Sequence, residues 1–65
     1  MWVEICYFDR VDKFGKVLYK TVRLEKVRNV RQSERMTEIK YLDKLKGLQS
    51  MFVYNKDIKT LKVSE

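Results

Sequence analysis

The chain has 65 residues, with fifteen Lys and Arg against nine Asp and Glu, one cysteine, no histidine and no proline. That length allows one small domain over residues 1–65, and a chain so short buries only roughly 60% of the surface its unfolded form exposes. The missing histidine removes the commonest general base and the commonest metal ligand, and a lone thiol cannot staple its own chain. Twenty residues are Val, Leu, Ile or Phe, more than disordered chains carry, so folding must rest on a hydrophobic core.

Residues 2–9, WVEICYFD, are rich in β-branched and aromatic side chains and predict a strand. DKFG at 12–15 predicts a turn, in which Asp12 bonds the backbone ahead of it and Gly15 takes a positive φ. Residues 16–27 then return as a second strand, completing an antiparallel hairpin. Residues 28–32 read as a connection or a first helical turn, with Asn29 or Ser33 as candidate caps for a helix. From 34 to 46, Met36, Ile39, Leu42 and Leu45 recur every three positions, a helical period, and Gly47 is placed to stop that helix. LQSMFVYN at 48–55 is of strand composition, NKD at 55–57 a turn, and IKTLKV at 58–63 a last strand. The expected fold is therefore α+β, an antiparallel sheet of about four strands with one helix across one face, in the order β-β-α-β-β.

Alternation along the first two strands gives two different faces. Val3 and Ile5, with Leu18, Val22 and Leu24, form the aliphatic row expected to meet the helix. Trp2, Phe8, Val17 and Tyr19, near Arg23, fall on the other side, where a single helix leaves them exposed. An apolar patch rimmed by charge marks a candidate binding surface. Cys6, between Ile5 and Tyr7, reads as a small buried apolar residue.

The charge is not spread evenly. Residues 10–31 hold eight bases, Arg10, Lys13, Lys16, Lys20, Arg23, Lys26, Arg28 and Arg31, against only Asp12 and Glu25, and so carry the whole formal charge of +6. The other 43 residues hold seven bases and seven acids. Gathered positive charge attracts a polyanion, and each phosphate met by Lys or Arg releases condensed counterion without regard to base sequence. Lysines on an edge strand also block edge-to-edge aggregation, which is a purely structural use.

No phosphate-binding glycine pattern, zinc cluster or activated nucleophile is present, so no enzyme, cofactor or metal is expected. MWVEICYFD is too short and too acidic for a signal peptide, and no apolar run approaches the ~18 residues of a membrane span. A cytoplasmic protein without membrane contact is expected. The leading expectation is a small non-catalytic nucleic-acid-binding protein whose eight hairpin and loop cations meet the phosphate backbone, with Trp2, Phe8 and Tyr19 adding stacking. The alternative is a compact regulator, like the small inhibitors made by phages and mobile elements. It would dock on an acidic protein partner through Trp2, Phe8 and Tyr19, or pair that face in a homodimer.

Overall fold

Six strands and no α-helix make up the computed structural model, which describes residues 1–65. In chain order they are β1 (Trp2–Val11), β2 (Val17–Leu24), β3 (Val27–Gln32), β4 (Met36–Asp43), β5 (Gly47–Tyr54) and, after one 3₁₀ turn at Asn55–Asp57, β6 (Ile58–Ser64). They form two antiparallel three-stranded sheets, in the order β2-β1-β6 and β3-β4-β5. The expected α+β fold is thus corrected to an all-β one. The first hairpin, the last two strands and the turn between them lie close to where the sequence places them. The expected helix over 34–46 is instead a strand and a turn, and residues 28–32, expected as a connection or first helical turn, lie wholly within β3.

The core lies between the sheets. Val3 and Ile5 of β1 face Leu24 and Val22 of β2 on one side and, for Ile5, Leu61 of β6 on the other. The aliphatic row therefore does point inward, but a second sheet covers it. Val27, Ile39 and Val53 come from β3, β4 and β5, and with Val3 and Ile5 complete the buried cluster. Tyr7, Val30, Tyr41, Met51 and Ile58 close around it. Each buried aliphatic side chain contributes on the order of 1.5–3 kcal/mol.

The helical reading of 34–46 fails at Thr37. The inward row of β4 is Thr37, Ile39 and Tyr41, a strict period of two, but its first member is polar, which hides the alternation. Met36 and Leu42, which supplied the three-residue spacing, point out of the sheet, and Leu45 stands bare on the turn. Ser33 closes the β3–β4 turn rather than capping a helix. Its hydroxyl donates to the Met36 carbonyl at 3.0 Å, and its amide donates to the same oxygen at 2.8 Å. Gly47 does take a left-handed conformation, φ 77, but at the end of the β4–β5 hairpin turn.

Thr37 is fully buried and fully bonded. Its hydroxyl donates to Asn55 Oδ1 at 2.6 Å and accepts from Gln32 Nε2 at 3.1 Å. Asn55 Nδ2 in turn donates to the Ser33 carbonyl at 2.8 Å. One buried hydroxyl thereby ties β3, β4 and the 3₁₀ turn together. Thr37→Val, nearly isosteric, strands the Asn55 oxygen without a donor and should lower stability by about 1–3 kcal/mol in urea unfolding. Asn55→Ala should lose less in the Thr37→Val chain than in the native one, because the shared bond is already gone.

Both long hairpins close on an aspartate. Asp12 Oδ1 accepts from the amides of Phe14 and Lys16, each at 2.8 Å. Asp43 Oδ1 accepts from Leu45 at 2.8 Å and Lys46 at 3.0 Å. These bonds to the Leu45 and Lys46 amides hold the Asp43 carboxyl below its ordinary value. A depressed carboxylate pKa contributes stability that is present above the unfolded value and fades as pH falls through the folded one. Asp43→Asn should therefore lower the melting temperature at neutral pH, and the gap between the two chains should narrow as the solution is acidified.

Candidate nucleic-acid interface

The outward row of β1 is Trp2, Glu4, Cys6 and Phe8, and that of β2 is Val17, Tyr19, Thr21 and Arg23. The register sets Phe8 opposite Tyr19, Cys6 opposite Thr21, Glu4 opposite Arg23 and, beyond a bulge at Asp9, Val11 opposite Val17. Directly opposed residues in an antiparallel pair share a face. The face bears no covering element, and Phe8, Tyr19, Val11 and Val17 are all exposed. Sequence alternation had grouped Trp2, Phe8, Val17 and Tyr19 near Arg23, and the register brings these five onto that face.

Two of the rings carry a cation. The Arg23 guanidinium lies 4.1 Å from the centroid of Trp2, and Lys59 Nζ of β6 lies 4.5 Å from that of Tyr19. Exposed contacts of this kind are worth about 0.5–1 kcal/mol. Arg23 Nε also donates to Glu25 at 2.8 Å, a solvated ion pair that orients the guanidinium more than it stabilises the fold. Lys62 of β6 sits opposite Glu4, 3.9 Å from its carboxylate. The rings thus lie on a three-stranded surface with cations on both flanks, Arg23 from β2 and Lys59 and Lys62 from β6.

Of the eight cations in residues 10–31, only Arg23 is part of this face. Lys20 is opposite Tyr7 and Arg10 opposite Leu18, in the row that continues the core side of the hairpin. Lys13 and Lys16 flank the exposed turn, Lys26 stands at the corner between the sheets, Arg28 occupies the β3 bulge, and Arg31 is opposite Glu38 on the outer face of the second sheet. These seven have no carboxylate within ion-pair distance. They do not gather on one face. Lys16, Lys20, Lys26, Arg28 and Arg31 follow the chain along β2, the corner and β3, the border strands of the two sheets, while Arg10 lies on β1 and Lys13 in the first turn.

Charge counting missed Lys59 and Lys62, because both lie in the part of the chain whose charges cancel. Their strand alternation was legible, but the pairing of β6 with β1, which carries them to the aromatic face, was not. Cys6 is half-exposed on the same face, not in the core. Nowhere do three or more His, Cys, Asp or Glu side chains gather as a metal site would need, and no helix is long and apolar enough to cross a membrane. The chain matches no protein-family model, no curated protein and no solved structure.

Proposed function

We propose that the chain is a small non-catalytic protein that binds single-stranded nucleic acid across the outer face of the β2-β1-β6 sheet. The observation that carries this reading is the outward row of half-buried Trp2 and exposed Phe8 and Tyr19, with Arg23 and Lys59 against two of the rings. Unpaired bases stack on exposed aromatic rings whatever their identity, each stack being worth about 1–3 kcal/mol. Arg23, Lys59 and Lys62 flank the rings where a sugar-phosphate backbone would run. The border cations Lys16, Lys20, Lys26, Arg28 and Arg31 add long-range attraction and speed encounter without touching bases. A duplex presents no base faces for such rings, so single strands are favoured over double strands.

Trp2 is the only tryptophan, so its fluorescence reports on the site directly. Titration with an unstructured oligonucleotide at low salt should quench it. Phe8→Ala and Tyr19→Ala should each weaken binding by roughly ten- to a hundredfold while leaving the salt dependence alone. Replacing Arg23, Lys59 and Lys62 together by Gln should instead flatten the dependence of log K on log salt by about 2 units, near 0.7 for each lost phosphate contact. Absence of quenching at low salt, or binding indifferent to Phe8 and Tyr19, overturns the proposal. A lysate partner that survives nuclease but is lost on Tyr19→Ala would place a protein on this face instead.

A further inference from the structure

The two sheets have four edges, β2, β6, β3 and β5, and three of them are guarded by charge. β2 carries Lys20 and Arg23, β6 carries Lys59 and Lys62, and β3 carries Arg28 and Arg31. Cations on an edge oppose pairing with another strand, as do the bulges within the β1–β6 and β3–β4 ladders. β5, GLQSMFVY, has no charged residue at all, alone among the six strands. It runs opposite β4 for eight consecutive residue pairs without a bulge, and pairs with nothing on its other side. Its outward side chains Leu48, Phe52 and Tyr54 are each more than half exposed, beside Leu42 of β4.

We propose that β5 is a dimerisation edge, on which the β5 of a second copy pairs antiparallel to make one continuous six-stranded sheet. Electrostatics selects a second copy as the occupant. An edge paired with itself sets like charge against like, so β2, β3 and β6 are excluded as self-partners and β5 is not. In the dimer the basic β3 strands lie at the far edges of the joint sheet, five strand spacings or about 24 Å apart. That is well beyond the screening length of about 8 Å at physiological salt, so the β3 charges do not oppose the seam, while Lys44, Lys46 and Lys56 at the two ends of β5 oppose it less as salt rises. With Ser50 opposite its own copy, Leu48 meets Phe52 of the second molecule on the outer face. The five-residue buried core gives the pairing a purpose, since chains of this size commonly gain stability by oligomerising. The aromatic face of the other sheet stays free.

Sedimentation of the native chain across a dilution series should show mass rising from monomer to dimer. Ser50→Lys with Phe52→Lys, both outward positions, should keep the β-sheet circular dichroism and stay monomeric throughout. Phe8→Lys with Tyr19→Lys should dimerise as the native chain does. Independently, Ser50→Cys in a Cys6→Ser chain should form a disulfide-linked dimer on mild oxidation, while Thr21→Cys in the same background should not. This arm decides alone if the double lysine variant fails to fold. A native chain that stays monomeric, a dimer untouched by the β5 lysines or lost with the Phe8 and Tyr19 pair, or a Ser50→Cys chain that does not link, overturns the proposal.

Discussion

Between Leu24 and Val27 the most basic run of the chain leaves one sheet and enters the other, and the geometry of that crossing decides what both sheets present to solvent. Lys26 takes φ 52, a left-handed conformation that costs a residue with a Cβ about 1–2 kcal/mol. Its surroundings hold it there. The Lys26 carbonyl accepts from the Leu42 amide at 3.1 Å, and the next amide, that of Val27, donates to the Met1 carbonyl at 2.9 Å. The corner is therefore stitched to β4 on one side and to the start of β1 on the other. Because the strand turns there, Val22 and Leu24 before the corner and Val27 and Val30 after it can all reach the same core.

That crossing also explains why so much charge is tolerated. A strand at the middle of a sheet between two packed layers would have no place for six cations in sixteen residues. As an edge of the first sheet and then of the second, the run 16–31 has one row against the core at most, and every Lys and Arg in it reaches water. The same economy leaves the outer faces uncovered. With no helix available, each sheet is packed on one side only. The first presents rings and cations, and the second presents Leu42, Leu48, Phe52 and Tyr54.

Much of this was legible in the residues, and the failures have physical causes. The hairpin at 12–15 could be read because aspartate and glycine there have chemistry few other arrangements use, and Asp12 and Gly15 behave accordingly. The aromatic grouping followed from alternation, which holds for any strand whatever its partner. The helix was misread because Thr37, Ser33 and Gly47 each carry a signal that two structures share. A polar residue in an inward row imitates the solvated face of a helix, a serine that closes a turn imitates a cap, and a left-handed glycine ends hairpins and helices alike. The strand arrangement carries a long-range network from Thr37 to Asn55, eighteen residues apart, which no local pattern encodes. The same holds for Lys59 and Lys62, which the β1–β6 pairing alone brings to the rings.

Position alone suits the edge cations to two roles at once, the proposed attraction of a polyanion and the exclusion of other strands. The physics of the two roles differs. Attraction of a phosphate backbone acts through solvent and fades as salt screens it. Exclusion of a like-charged strand acts across one strand spacing of about 5 Å, inside the screening length of about 8 Å, so dissolved ions weaken it less. Raising the ionic strength therefore weakens the first role more than the second. It also strengthens, relative to the rest, any contact made through uncharged surface, and β5 is the one strand of this molecule built wholly from such residues.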